Sequence, residues 1–201
     1  MLTVLDYGGG NLKSIVNALN AIGVPFRLTS KPEDILNADR LIFPGQGHFG
    51  QVMESLKFQG LAEPLKRRLN EGVPFLGICV GLQVLFDSSE EAPGVQGLGV
   101  FKGKNVRFHQ GKIPQIGWNQ IRTEKSNTLL SNDYFYFVNS FHVVPSDPAV
   151  VSATAEYHIP FTAAVEKGNI VATQFHPEKS GKTGQEVLRR WVESFKIEAE
   201  K

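Results

Sequence analysis

A chain of 201 residues, 41% hydrophobic and 20% charged, is long enough to bury a full core and fits one large domain spanning 1–201 better than two small ones. Its 21 basic and 20 acidic side chains are interspersed and leave a formal net charge of +1, which argues against a nucleic-acid stripe or a polyanion partner. No apolar run approaches the roughly 20 residues that cross a bilayer, and a lone cysteine with no signal segment after Met1 predicts a cytoplasmic chain without an internal disulfide.

Taken in chain order, the first half alternates short apolar runs with amphipathic helical patterns, as a parallel sheet covered by helices requires. Leu2 to Leu5 reads as the first strand, and Leu12, Ile15, Val16 and Leu19 recur at helical spacing just after Gly8-Gly9-Gly10-Asn11. Phe26 to Thr29 reads as a second strand, with Ser30 and Glu33 placed to cap a short helix. Leu41 to Phe43 and Phe75 to Ile78 are the next strands. Between them Leu61, Leu65 and Leu69 make Lys66-Arg67-Arg68 the solvated face of a helix and not a binding patch.

Beyond residue 100 the texture changes to alternating and aromatic-rich runs: Val100 to Phe108, Tyr134 to Val138, Val150 to Tyr157, Phe161 to Val165 and Ile170 to Phe175. Val187, Leu188, Trp191, Val192 and Phe195 then share one helical face that packs back onto the sheet. With every crossover feeding one sheet, the expected architecture is a three-layer α/β sandwich with a mostly parallel central sheet and an antiparallel addition. Ligands of such sheets sit at the C-terminal ends of the strands, where Tyr7 to Asn11, Pro44 to Gly50 and the segment around Cys79 all fall.

Gly77-Ile78-Cys79-Val80-Gly81 places the cysteine between two glycines straight after an apolar strand, the outline of a nucleophile elbow. Flanking glycines remove the Cβ atoms that would collide where a strand reverses into a helix. The start of that helix favours the thiolate form. A buried structural cysteine is the common alternative. Phe175-His176-Pro177-Glu178-Lys179-Ser180 supplies a base and a carboxylate; in an extended segment Glu178 reaches one imidazole nitrogen of His176 while the other faces a thiol.

Pro44-Gly45-Gln46-Gly47 follows a strand and is the natural second wall of a site centred on Cys79. Its glycines let a peptide N–H turn inward, and with the N–H of Val80 it makes an oxyanion hole; an ordinary glycine turn is the alternative. Gln83 lies one helical turn after Cys79 and reaches a substrate held there. Glu90 and Glu91 are either solvated loop acids or a grip on a substrate ammonium. Gly8-Gly9-Gly10 matches neither nucleotide-binding glycine pattern, and His48, His109, His142 and His158 are scattered without zinc spacing, so no cofactor and no metal are expected.

Joined in this order, the elbow, the glycine loop and the His-x-Glu motif resemble the class I, triad-type glutamine amidotransferases. Asp6-Tyr7-Gly8-Gly9-Gly10-Asn11-Leu12, the elbow extended to Phe86, and Pro114-Gln115-Ile116-Gly117-Trp118-Asn119 narrow the resemblance to the glutaminase subunit of imidazole glycerol phosphate synthase, over nearly the whole chain. Asn139-Ser140-Phe141 departs from the His-Ser-Tyr more usual in the family, so what carries over there is a main-chain role of Ser140 in substrate binding.

The resemblance implies that glutamine is hydrolysed to glutamate and ammonia through a thioester on Cys79, with His176 as acid and base and Glu178 orienting it. It also implies a heterodimer with a (β/α)₈-barrel cyclase. There the ammonia, shielded from solvent, meets a phosphoribulosyl-formimino-carboxamide ribotide and yields imidazole glycerol phosphate. Asn11, Trp118, Tyr136 and Lys179 come from segments expected at the rim of the pocket and are the candidate docking residues, Lys179 either pairing charge across the interface or standing solvated.

Overall fold

The computed structural model describes residues 1–9, 12–124 and 129–195. Its first half runs β1 (Leu2–Leu5), α1 (Leu12–Ala21), β2 (Phe26–Thr29), α2 (Pro32–Leu36), β3 (Arg40–Phe43), α3 (Phe49–Phe58), α4 (Ala62–Asn70), β4 (Phe75–Ile78) and the short α5 (Val80–Gln83). The second half adds β5 (Phe86–Ser89), β6 (Phe101–Arg107), β7 (Gln115–Thr123), β8 (Tyr134–Asn139), β9 (Phe141–Pro145), β10 (Val151–Tyr157), β11 (Ile159–Lys167), β12 (Ile170–Thr173) and α6 (Gly181–Ser194).

Nine strands form one sheet in the order β2-β1-β3-β4-β12-β11-β10-β7-β8. The first five are parallel and the remainder antiparallel. Every residue of β1, β3, β4 and β12 is buried, as strands covered on both faces must be. One face packs Leu5, Leu41, Phe43 and Phe75 against Phe49, Met53, Leu56 and Leu65 of α3 and α4. The other packs Val4, Ile42, Leu76 and Ile78 against Ile15 and Leu19 of α1 and Leu188 and Trp191 of α6. These are the three layers expected, with the antiparallel extension attached to the same sheet.

Two expectations are corrected. The crossovers do not all feed one sheet: β5, β6 and β9 form a separate three-stranded sheet. It is anchored by Phe86 and Phe101, whose rings meet at 5.5 Å. Nor does Ser30 cap α2; Lys31 occupies that position without a side-chain cap, and Pro32 starts the helix, where its missing N–H costs nothing. His142, one of the scattered histidines, is buried with its ring 4.6 Å from that of Phe108. Among the described residues no helix is long and apolar enough to cross a membrane, and no group of three or more His, Cys, Asp or Glu is arranged to hold a metal ion.

Candidate active site

Cys79 sits between the end of β4 and the start of α5 with φ 51° and ψ −103°. For a side chain with a Cβ this left-handed backbone is strained, and such strain concentrates at functional positions. The glycines around it are sterically required. A Cβ on Gly77 would lie 2.6 Å from the Gly81 carbonyl oxygen, one on Gly81 2.5 Å from that of Phe43, and one on Gly45 1.6 Å from that of Ile78. The Cys79 N–H donates to the Thr173 carbonyl at 2.7 Å, fastening the elbow to the end of β12. The Val80 N–H takes no part in the backbone hydrogen bonds around the elbow, as the first N–H of a helix normally does not.

His176 and Glu178 follow β12 on the same sheet edge. Nδ1 of His176 is 2.7 Å from Glu178 Oε1, and both side chains are nearly sealed from solvent. The segment between them is a 3-10 turn over Pro177–Lys179, not the extended run expected, so the carboxylate reaches back across the turn. Tyr136 clamps this turn from β8: its carbonyl accepts the His176 N–H at 2.9 Å, and its own N–H donates to Ser180 Oγ, which donates in turn to the His176 carbonyl at 2.7 Å. Nε2, the other ring nitrogen, is buried without a well-formed hydrogen bond. Burial of the ring works against the imidazolium, yet the negative sulfur of Cys79 and the Glu178 carboxylate outweigh it and raise His176 from 6.5 to about 10.

Gln46, Gly47, Gln83, Glu91 and Ser140 line with Cys79 a cavity of about 320 Å³, at the small end of ligand sites. Gln46, Gln83, Glu91 and Ser140 each make hydrogen bonds to other parts of the chain. Glu91 accepts the Phe49 N–H at 2.7 Å, and the Ser140 carbonyl accepts the Phe108 N–H at 3.0 Å. The Gln46 N–H does not face the cysteine side but lies 3.4 Å from the Tyr7 hydroxyl. Of the rim residues, Trp118 is 56% exposed and pairs across β7 and β8 with Tyr136, their rings edge to face at 6.0 Å. Ile116 and Tyr134 extend this outward face, and Val138, next along β8, lines the Cys79 cavity. Lys179 is half-buried on the turn with no ion pair among the described residues. Asn11 lies outside the described residues.

Sequence reasoning missed Gln174, which is fully buried with Nε2 3.6 Å from Cys79 Sγ. Its orientation is dictated by its neighbours. The Phe141 carbonyl only accepts, so Gln83 must present Nε2 to it at 3.3 Å; the same Nε2 meets Gln174 Oε1 at 3.2 Å, leaving the Gln174 amide nitrogen to the sulfur. A donor aimed at Sγ stabilises negative charge there. Gln174→Met keeps the length and removes the donor, and is expected to slow alkylation of Cys79 by iodoacetamide about tenfold. Time courses of labelling for the two proteins, with melting curves as the fold control, check it. The only hint in the sequence is an amide between Thr173 and Phe175 at the end of a buried strand.

Comparison with known proteins agrees with this geometry. The glutamine amidotransferase class-I family model matches residues 3–194. A subunit named imidazole glycerol phosphate synthase subunit HisH from Methanothermobacter thermautotrophicus is 48% identical over 197 residues, covering 96% of this chain and 98% of the relative. One of the same name from Thermus thermophilus is 46% identical, with 94% and 97% covered. The chloroplastic imidazole glycerol phosphate synthase hisHF of Arabidopsis thaliana is 46% identical over 96% of this chain but only 34% of its own length. A crystal structure titled as a glutamine amidotransferase superposes with a TM-score of 0.79 at 21% identity over 98% of this chain and 99% of its own. The chain belongs to the class I glutamine amidotransferase family and, within it, to the HisH subunits of imidazole glycerol phosphate synthase.

Proposed function

We propose that this chain, in the cytoplasm, hydrolyses the side-chain amide of glutamine through a thioester on Cys79 and delivers the ammonia to a (β/α)₈-barrel cyclase bound as a heterodimer. The observation that carries the reading is the placement of the strained Cys79 in a small cavity, in front of a buried His176 held at Nδ1 by Glu178. Cys79 Sγ attacks the amide carbon, and the oxyanion is received by the Val80 N–H and one N–H of the Gly45 to Gly47 segment. His176 gives its Nε2 proton to the leaving ammonia, forming the acyl thioester. It then takes a proton from the water that attacks the thioester, releasing glutamate and restoring the thiolate. Glu178 fixes the ring and balances its charge in both steps. Gln83, Glu91 and the main chain at Ser140 hold the substrate's distal end.

The outward strip of Ile116, Trp118, Tyr134 and Tyr136 is the docking surface in this reading. It exposes large apolar groups on one sheet face, ends at Val138 beside the sulfur, and has Lys179 next to it. The test incubates the chain with the barrel cyclase, its ribotide substrate and glutamine, and assays glutamate and imidazole glycerol phosphate separately. One imidazole product per glutamate is expected. Trp118→Ala and Lys179→Ala should weaken association, Trp118→Ala by about tenfold or more, and should lower ammonia transfer more than hydrolysis at saturating partner. Unchanged affinity and coupling in both variants would move the interface elsewhere, and absence of glutamate would remove the glutaminase reading itself.

A further inference from the structure

Tyr7, two residues past the end of β1, is 1% exposed, and its ring stacks on Phe43 with centroids 5.0 Å apart. Its hydroxyl is 2.9 Å from the Gln46 carbonyl oxygen, 3.2 Å from that of Pro44 and 3.4 Å from the Gln46 nitrogen. A phenol has one proton and two lone pairs, so it donates to the carbonyls and accepts the Gln46 N–H. Burial, and to a lesser degree the nearby charges of Cys79 and Asp6, push the phenol up to about 12 despite the bond to Gln46, so its proton stays in place across the neutral range. Tyr7 is itself braced: its main-chain carbonyl accepts from Ser55 Oγ and, at 2.8 Å, from Gln59 Nε2, both at the end of α3.

The loop that Tyr7 grips has open space on both sides. Gln46 and Gly47 line the cavity that holds Cys79 and also a second cavity of about 180 Å³ that holds Tyr7; Cys79 does not line the second, nor Tyr7 the first. The Gln46 N–H points to the Tyr7 side. Because a trans peptide is planar, the Gly45 carbonyl of the same unit points the opposite way. The glycines on either side make rotation of that unit feasible: Gly45 has no room for a Cβ, and Gly47 has φ +149°.

We infer that the Tyr7 hydroxyl is a positioning group: its contacts hold the Gly45–Gln46 peptide with its N–H turned away from Cys79, and they must be given up before that N–H can serve the proposed oxyanion site. The inference rests on the glutaminase reading and names the group that keeps the isolated chain slow. Tyr7→Phe keeps the stacked ring and removes the latch.

The test measures glutamate release by wild type and Tyr7→Phe, each alone and with the barrel cyclase and its ribotide. Without the partner, Tyr7→Phe is expected to raise kcat about tenfold with KM for glutamine unchanged, while the rate with the partner stays the same and the activation ratio falls by the same factor. Alkylation of Cys79 by iodoacetamide, which develops no oxyanion, should not change; a general loosening of the site would accelerate both reactions. Gln59→Leu combined with Ser55→Ala frees the Tyr7 carbonyl from α3 and should shift the partner-free rate in the same direction, providing the decisive variant if Tyr7→Phe does not fold. Glutamate from wild type combined with an unchanged or lower partner-free rate in the folded variant overturns the inference alone. No glutamate from wild type even with the cyclase present overturns the glutaminase reading and the inference with it.

Discussion

Cys79→Ala is expected to abolish glutamine hydrolysis, by at least about 10⁴-fold, while the fold and binding of the cyclase persist. The sulfur is the only thiol in the chain, and the hydroxyls of Thr173 and Ser180 are engaged with the Phe175 and His176 carbonyls. No neighbouring group takes over the attack. The backbone at residue 79 already accommodates a Cβ, and the glycines that permit the turn are untouched, so melting temperature and circular dichroism should stay near wild type. A diazo-ketone analogue of glutamine should label wild type at residue 79 and leave the variant unlabelled; labelling at any other residue would overturn the assignment. The same substitution acts on the base. Burial opposes the charge on His176, and Cys79 is the foremost of the two partners that outweigh burial, so without the sulfur anion the imidazolium should lose its proton well below the wild-type value of about 10. Following the ring protons by NMR against pH checks this. Glu178→Gln should cost less activity than His176→Ala, because orientation is lost while the base remains.

The parallel half of the sheet was legible because each strand is a short apolar run covered on both faces, so hydrophobicity alone marks Leu2 to Leu5, Leu41 to Phe43 and Phe75 to Ile78. The strand β7 escaped the same reading because its pattern is inverted: Ile116 and Trp118 point outward and Gln115 is buried, so an apolar-in rule finds no strand there. Of the small second sheet the middle strand lay within the run Val100 to Phe108, but its neighbour β5 was missed for a related reason. In Phe86–Ser89 only the first residue is apolar, and its strand character comes from pairing with Phe101 to Asn105. At the site, residue types and spacing identified Cys79, His176 and Glu178 as candidates, whereas the route by which the carboxylate reaches the ring depends on a 3-10 turn that Pro177 starts. Gln174 and Tyr7 carry no motif of their own. Their relation to the sulfur and to the glycine loop exists only once β1, β3, β4 and β12 lie side by side.

Glutaminase activity of the isolated chain should rise about 10²–10³-fold when the cyclase and its ribotide are added. That range is the contribution of one oxyanion donor, and in the oxyanion site proposed above one donor is turned away: the Gln46 N–H is bonded to Tyr7 on the far side of the loop. A hundredfold change requires the partner to favour the rotated peptide by only about 2.7 kcal/mol, less than many interfaces derive from a few buried anchors. The route from the proposed docking strip to the sulfur is short. Trp118 packs on Tyr136, both main-chain groups of Tyr136 hold the turn that carries His176 and Glu178, and the Val138 carbonyl two residues along β8 is 3.8 Å from Cys79 Sγ. On the proposed reading, a cyclase seated on this strip would press on the walls of the cavity without entering it and so couple ammonia release to the presence of an acceptor. Steady-state glutamate production, measured alone, with cyclase, and with cyclase plus ribotide, decides the matter. A rate for the isolated chain equal to that of the complex would mean the resting loop already supplies its donor, and the Gln46–Tyr7 contact would then have no part in control.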